Sequence, residues 1–201
     1  LQDFVNRFLK RMFDIFFSAT VIVLILSWLY PIIAIIIKLT STGPVLFQQL
    51  RSGVNNEEFI CYKFRSMEIT EKSDIKQATK NDPRVTRFGA FLRKTSLDEF
   101  PQFFNVFIGD MSIVGPRPHM LLHTKEYSQL INKYMVRQLV KPGITGVAQV
   151  RGYRGETKEL EDMDGRVRLD VWYIENWSLS LDINIILQTI WNLFKQDGKA
   201  Y

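Results

Sequence analysis

Cysteine and histidine are scarce in this sequence, which contains one cysteine, Cys61, and two histidines among 201 residues. A single cysteine excludes an internal disulfide and favours a reducing compartment. Cys61 lies in the alternating run FICYKF, which favours a small buried apolar residue over a nucleophile. His119 and His123 have helical spacing, but no third ligand is apparent, so the pattern favours an ordinary helix turn over a zinc site.

The sequence also lacks a Walker-type glycine-rich loop, an internal repeat and a low-complexity segment. The first absence excludes an ATP-driven P-loop enzyme. A mass of 23.6 kDa predicts one domain, or one domain plus an appendage. A net charge of +5 suits an anionic partner such as a nucleotide or acidic lipid, and the start at Leu1 suggests a piece of a longer protein.

Charge is absent from the 23 residues between Ile15 and Ile37. At 1.5 Å per residue this run would span roughly 34 Å as a helix, enough to cross a bilayer. It is too long for a cleaved signal peptide and has no small-residue cleavage site. The preceding residues 1–13 are basic and amphipathic, which predicts a helix on a membrane surface.

Pro31 complicates a simple crossing. It cannot donate to the carbonyl of Ser27, so we expect the helix to kink or break there, with the Ser27 side chain helping to satisfy the backbone. Basic residues flank both ends of the run, so the positive-inside rule gives a single crossing no orientation. A re-entrant helix with both flanks in the cytoplasm and a kinked single span both remain open.

The segment Leu92–Pro118 contains two adjacent acids, Asp98 and Glu99, between two arginines, Arg93 and Arg117. We expect a helix that begins between residues 95 and 98 and continues through FPQFFNVFI. Both carboxylates would then lie at the positive end of a helix, which favours their ionised forms. Adjacent helical residues point about 100° apart, so the two acids should have different roles.

The alternative interpretation of this segment is purely local. Ser96 and Glu99 would form an S-x-x-E capping box, and Asp98 would only complement the helix dipole.

Other segments predict the secondary structure around Asp98 and Glu99. Alternation on both sides of Asn55-Asn56 predicts a β-hairpin, with Lys63 and Arg65 projecting from its second strand. Residues 68–82 predict a surface loop or short helix, 119–139 a helix, and 141–146 a glycine-proline loop that could approach a ligand. The final segment predicts an amphipathic helix, and its aromatic residues suit either headgroups or core packing.

Several ordered blocks together resemble the monotopic phosphoglycosyl transferases, the bacterial sugar transferase family. The ending and the RGYRGET block look most like the hexose-1-phosphate branch, which includes undecaprenyl-phosphate glucose phosphotransferases. The matching blocks are KRMFDIFFS (10–18), GPVLFQQLRSG (43–53), YKFRSM (62–67), residues 82–118, KPGITGVAQVRGYRGET (141–157) and DVWYIENWSLSLDINIIL (170–187).

The resemblance implies a reaction. A UDP-sugar would transfer its hexose-1-phosphate to undecaprenyl phosphate with Mg²⁺ and release UMP, as the first membrane step of exopolysaccharide, capsule or O-antigen synthesis. UDP-glucose or UDP-galactose is favoured, and a UDP-N-acetylamino sugar is the alternative. A non-catalytic membrane scaffold that binds lipid or nucleotide is the alternative from another class.

The resemblance also implies residue roles. Asp98 would be the nucleophile that forms an aspartyl-phosphosugar, and Glu99 would assist as base or beside the metal. The family breaks its membrane helix at a Ser-Pro pair, whereas here Tyr30 precedes Pro31 and the nearest serine is Ser27. The implied substrate- or phosphate-binding residues are Arg93, Arg117, Lys63, Arg65 and Asp170.

These expectations combine into an α+β, mostly helical fold with a small β-hairpin. Residues 1–40 would form the basic lead-in and re-entrant membrane helix, and residues 41–201 a compact cytosolic catalytic domain with interfacial amphipathic helices. The expected location is the cytoplasmic face of the bacterial inner membrane. The expected partners are a UDP-sugar, undecaprenyl phosphate and membrane lipid, with a possible homodimer and no nucleic acid.

Overall fold

The structure is a computed structural model that describes residues 3–68, 79, 82–153, 155 and 160–195. The predicted polar stretch 68–82 and the RGYRGET block lie partly outside these residues. The mostly helical α+β fold is confirmed. Its helices are α1 (Phe4–Val21), α2 (Ser27–Thr40), α3 (Arg87–Lys94), α4 (Gln102–Ile108), α5 (Leu121–Leu130), α6 (Val147–Val150), α7 (Leu160–Glu175) and α8 (Leu179–Lys195). Its strands are β1 (Leu46–Ser52), β2 (Glu58–Phe64), β3 (Ser112–Val114) and β4 (Gly143–Thr145).

The N-terminal segment is one continuous helix of 37 residues, Phe4–Thr40, with a mean hydropathy of 2.7 over its most apolar window. By length and composition it could cross a membrane. The chain stays helical through Pro31, which lies inside α2, so a break of the helix at Pro31 is not observed.

An irregular turn precedes Pro31 in the helix. Residues Ile22–Leu26 are π-helical, and the backbone N–H of Ser27 bonds to the carbonyl of Ile22, five residues earlier. The Ser27 hydroxyl donates to the carbonyl of Val23 at 2.6 Å. Local π turns and serine hydroxyls are ways of satisfying backbone groups around a proline in apolar helices.

One face of the long helix packs along the rest of the chain. Near the start, Asp14 accepts hydrogen bonds from the Ser112 hydroxyl at 3.0 Å and the Ile113 N–H at 2.9 Å. Near the end, Ile37 is buried in an apolar cluster with Phe64. Both ends of the helix therefore contact the same body.

The opposite face exposes large apolar side chains to solvent. Such a patch on a folded protein marks a membrane or protein interface. The aromatic residues of the C-terminal segment differ in exposure. Trp191 and Phe194 on α8 are exposed, whereas Trp177 packs against the core. The exposed apolar residues of the long helix include Phe8, Met12, Phe16, Val23, Leu24, Trp28, Ile35 and Leu39.

The predicted β-hairpin is confirmed. Strands β1 and β2 are antiparallel, with Leu46 opposite Phe64 and Ser52 opposite Glu58. Asn55 and Asn56 have φ angles of 51° and 63°, and asparagine tolerates this left-handed conformation better than most residues.

The segments around GPRP and KPGITG pair side by side. Strands β3 and β4 are parallel, with Ser112 opposite Gly143. A side chain at Gly143 or Gly146 would collide with the backbone of Gly115. These glycines of the predicted loop therefore allow two backbone segments to approach each other.

The helix predicted for residues 119–139 is interrupted. It ends at Leu130, and a 3₁₀ segment, Tyr134–Leu139, follows Lys133, which adopts a left-handed conformation with φ of 62°. The main core gathers residues from the hairpin, α4, β3, α7 and α8. Cys61 lies within it and is buried, as predicted.

Candidate active site

The two adjacent acids lie in a short connection between helices. Helix α3 ends at Lys94, Ser96 has a left-handed φ of 58°, and Leu97–Glu99 form one 3₁₀ turn before α4. The predicted start of the α-helix between residues 95 and 98 is therefore wrong, because this stretch closes one helix before the next begins. The Ser96 side chain makes no cap hydrogen bond, so the alternative capping box is also absent.

Glu99 is held by two cations from other parts of the chain. Lys63 Nζ lies 2.8 Å from Glu99 Oε1. Arg117 Nη2 donates to the same oxygen at 2.6 Å, and Nη1 lies 3.4 Å from Oε2. Burial alone would raise the pKa of Glu99, but the charges of Arg117 and Lys63 hold it well below its ordinary value. Glu99 is therefore a fixed negative charge.

Asp98 has the opposite environment. Its carboxylate makes no hydrogen bond or ion pair with any residue that the structure describes, although the side chain is buried. Burial and the neighbouring charge of Glu99 raise its pKa to about 6. The position thus opposes ionisation, contrary to the sequence expectation, because it lies in a buried turn and not at the start of a long helix. The two acids do differ in environment, as the sequence predicted.

Arg93 brings a third cation towards Asp98. Its guanidinium makes no ion pair within the described part of the chain, donates to the sulfur of Met67 at 3.3 Å, and lowers the pKa of Asp98 by its charge. Arg93, Lys63 and Arg117 therefore all act on the acid pair. A buried carboxylate near three cations is suited to a phosphate substrate.

Arg65 and Asp170 are not part of this group. The Arg65 guanidinium donates to the carbonyls of Ser41 and Thr42, beyond the end of α2. These contacts tie the hairpin to the long helix and do not support its assignment as a phosphate ligand. Asp170 is buried and pairs with Arg137 at 2.7 Å.

The partner of Asp170 links it indirectly to the acid pair. Arg137 donates to the backbone carbonyl of Arg117 at 2.9 Å and to His119 Nδ1 at 3.0 Å. Burial and the nearby Arg137 keep the pKa of His119 well below its ordinary value, so the ring is neutral. Asp170 thus supports the arginine that positions Arg117. No local pattern in the sequence predicts this role of Arg137, because its partner Asp170 lies in another helix.

Of the two acids, only Asp98 has a carboxylate without a cationic partner among the described residues, as a ligand of Mg²⁺ needs. No cluster of three or more potential metal-ligating side chains occurs in the described ranges. Mg²⁺ in phosphoryl-transfer sites commonly takes only one or two carboxylates, with the rest from water and substrate phosphate. Asp98 has no competing protein partner, so its carboxylate can serve as such a ligand.

A large cleft lies elsewhere. Its volume is about 990 Å³, and it lies beside α7, where Arg168 and Trp172 line it. None of the predicted site residues borders it. A much smaller cavity of about 20 Å³ is lined by Arg117, His119 and Arg137. The candidate site is therefore defined by its charges and not by a deep pocket.

Comparison with known proteins agrees with this geometry. The family model for bacterial sugar transferases matches residues 5–196. A UDP-glucose:undecaprenyl-phosphate glucose-1-phosphate transferase of Escherichia coli K12 is 53% identical over 94% of this chain and 41% of its own length. A protein of the same description from Xanthomonas campestris is 55% identical over 83% of this chain and 36% of its own length.

A more distant relative carries another sugar in its description. A UDP-N-acetylgalactosamine-undecaprenyl-phosphate N-acetylgalactosaminephosphotransferase of Aeromonas hydrophila is 43% identical over 92% of this chain and 44% of its own length. The chain therefore spans about two fifths of the length of these relatives. The family match covers almost the whole chain and includes the acid pair with its arginines. The chain belongs to the bacterial sugar transferase family.

Proposed function

We propose that this chain transfers hexose-1-phosphate from a UDP-sugar to undecaprenyl phosphate and releases UMP. UDP-glucose is the favoured donor, because two relatives above 50% identity carry that substrate in their descriptions. The observation that carries the proposal is the carboxylate of Asp98, which has no protein partner among the described residues and lies near three cations. The reaction would begin exopolysaccharide, capsule or O-antigen synthesis.

The chemistry divides into two displacements at one phosphorus. In the first, a carboxylate oxygen of Asp98 bonds to the sugar-bearing phosphorus, and the bond from that phosphorus to the UMP oxygen breaks. UMP leaves with the electron pair, and an acyl phosphate that carries the sugar remains on Asp98. In the second, an oxygen of undecaprenyl phosphate bonds to the same phosphorus, and the Asp98 carboxylate is released.

The three cations lower the electrostatic free energy that is needed to bring a negatively charged phosphate next to the Asp98 carboxylate. Transfer of this kind depends mainly on positioning and on preorganised positive charge. Arg93 lacks a carboxylate partner in the described ranges, so its guanidinium is available to the donor. Arg117 and Lys63 are oriented by Glu99.

Glu99 acts in this scheme as an anchor for those cations. Its depressed pKa makes it a weak base, which favours an orienting role over proton transfer. Asp98 is the residue that would hold Mg²⁺, with Glu99 beside it. When bound, Mg²⁺ would neutralise phosphate charge.

The long helix supports a re-entrant membrane anchor at the cytoplasmic face of the inner membrane. Both of its ends pack on the catalytic body, through Asp14 and Ile37, while its other face exposes apolar side chains. A straight span that carried one end to the far side would lose one set of these contacts. A homodimer remains a prediction.

Release of UMP tests the proposed function. The purified chain is incubated with undecaprenyl phosphate, Mg²⁺ and a panel of UDP-sugars that includes glucose, galactose and N-acetylgalactosamine. We expect UMP release with UDP-glucose and the largest kcat/KM for that donor. Preference for the N-acetylamino sugar would assign the chain to the alternative donor. Binding of UDP-sugars without any UMP release would support the non-catalytic scaffold.

A further inference from the structure

A small cationic recess lies at the far end of α4 from the acid pair. Gly109 follows this helix and has a left-handed φ of 109°. A methyl group placed on Gly109 would lie 3.4 Å from Arg11 Nη2 and 3.4 Å from Lys141 Nζ. Both cationic groups therefore border the same space, which the missing side chain leaves open.

The two cations differ in how they are held. Arg11 donates to the carbonyls of Val106 at 2.7 Å and Phe107 at 2.8 Å, which fixes its guanidinium at the end of α4. Lys141 is half-buried, and its ammonium makes no hydrogen bond or ion pair with any residue in the described ranges. Burial and the charge of Arg11 lower the pKa of Lys141. The second cation therefore lacks a counter-charge at contact distance.

The acidic groups nearest to Lys141 are engaged elsewhere. Asp14 and Asp110 act on its pKa in the opposite direction, but neither lies within ion-pair distance. Asp14 accepts hydrogen bonds from Ser112 and Ile113. Asp110 accepts one from Asn105. An anion from outside the chain could therefore contact Lys141 and Arg11 together.

Exposed apolar side chains lie close in sequence to Arg11 and Gly109. Phe107 and Ile108 project from the end of α4, and Phe8 and Met12 project from the neighbouring face of α1. Cationic groups beside exposed apolar residues are typical of the level of lipid headgroups, where the apolar parts enter the bilayer and the charges meet phosphate.

We propose that Arg11 and Lys141, beside the space that Gly109 leaves open, bind the phosphate of an anionic phospholipid of the surrounding bilayer. This lipid holds the start of α1 and the end of α4 at the membrane surface. The site needs no catalytic step, so it is independent of the proposed transfer reaction.

The distance from the acid pair distinguishes this phosphate from that of the acceptor substrate. Asp98 precedes α4 and Gly109 follows it, so the two lie eleven positions apart along mainly helical chain. At 1.5 Å per residue the separation is roughly 16 Å, well beyond the reach of a phosphorus–oxygen bond. A phosphate at Gly109 is therefore not the one that reacts at Asp98.

Native mass spectrometry of the detergent-solubilised full chain tests the proposal, with phosphatidylglycerol and phosphatidylcholine as probes. We expect one phosphatidylglycerol to bind preferentially, because the choline group offsets the phosphate charge of the other lipid. Lys141→Gln should reduce the bound fraction about fivefold, the effect of one lysine at a membrane surface. Lys141→Arg should retain binding, because the positive charge is kept.

The matched control is Lys125→Gln, which removes the same charge from an exposed position on α5. It should leave phosphatidylglycerol binding within about twofold of wild type. Equal losses in the two glutamine variants would overturn the proposal in favour of general surface charge. Loss of undecaprenyl phosphate binding with unchanged phosphatidylglycerol binding would overturn it in favour of an acceptor site. Melting temperatures of the variants verify that both remain folded.

Discussion

Two buried acidic clusters in this molecule differ in how completely their charges are satisfied. In the first, Asp182 accepts hydrogen bonds from Lys10 at 2.7 Å, Tyr173 at 2.8 Å and Trp177 at 3.1 Å. The side chain of Asp182 is fully buried. This cluster joins α1 to α7 and α8 and leaves the carboxylate no free capacity for a ligand.

In the second cluster, formed by Asp98 and Glu99, only one of the two carboxylates has partners among the described residues. Glu99 has two cationic partners, whereas Asp98 beside it has none in the described part of the chain. Burial of a carboxylate without a partner costs free energy, so a fold would not retain one for stability alone. The difference supports the proposal that the Asp98 cluster serves chemistry, whereas the Asp182 cluster serves the fold.

The sharpest test exchanges one carboxylate for an amide in each cluster. Asp98→Asn should lower turnover by at least about a thousandfold, because the amide has nearly the same shape but is a poor nucleophile. Its melting temperature should not fall, since removal of an unpaired buried charge relieves a cost. Intact-protein mass spectrometry with UDP-glucose and Mg²⁺, without acceptor lipid, should find a hexose-phosphate adduct on wild type only. Intersecting-line kinetics with no adduct on wild type would contradict a covalent role.

Asp182→Asn should act on stability instead. Removing one partner of a buried ion pair leaves the other charge uncompensated, at a cost of about 3–5 kcal/mol. For a chain of this size that corresponds to a fall in melting temperature of about 10 °C. Adduct formation at low temperature, in the fraction that remains folded, should persist. A stable but inactive variant would remove the distinction between the clusters.

Arg117→Lys should have a smaller effect on rate. Lysine keeps the charge but cannot hold Glu99 through two nitrogens, and loss of one charge-assisted contact is worth about 1.5–3 kcal/mol, or about ten- to a hundredfold in turnover. The control is Arg168→Lys, since Arg168 forms an exposed i,i+4 pair with Asp164. That substitution should change turnover less than about twofold. Equal rates in both variants would make Arg117 a structural residue.

A change of pH should have the smallest effect on kcat/KM. The pKa of Asp98 is raised to about 6, and the nucleophile is the ionised form. The kcat/KM for UDP-sugar should therefore be nearly constant above pH 7 and fall about tenfold per pH unit below 6. Glu99 remains charged in this window because its pKa is depressed. A profile that stays flat down to pH 4.5 would mean that Asp98 does not titrate in the rate-limiting complex.

Local sequence pattern predicted the helices and turns that are determined by residues close together in the chain. The charge-free run predicted the long apolar helix, Asn55-Asn56 predicted the hairpin turn, and the amphipathic ending predicted α8. The 3₁₀ turn at residues 97–99 was not predicted, because helix propensity alone does not reveal that α3 ends before the next α-helix begins. A break at Pro31 is not observed, because proline propensity alone does not reveal that the helix continues past this residue.

The sequence by itself determined that this chain carries two adjacent acids, several arginines and an apolar segment long enough for a membrane. The tertiary structure decided which acid is held and which is left without a partner. Glu99 meets Arg117 across 18 positions, Asp170 meets Arg137 across 33, and Asp182 meets Lys10 across 172. Charges pair according to distance in space, and only the packing of helices and strands sets those distances.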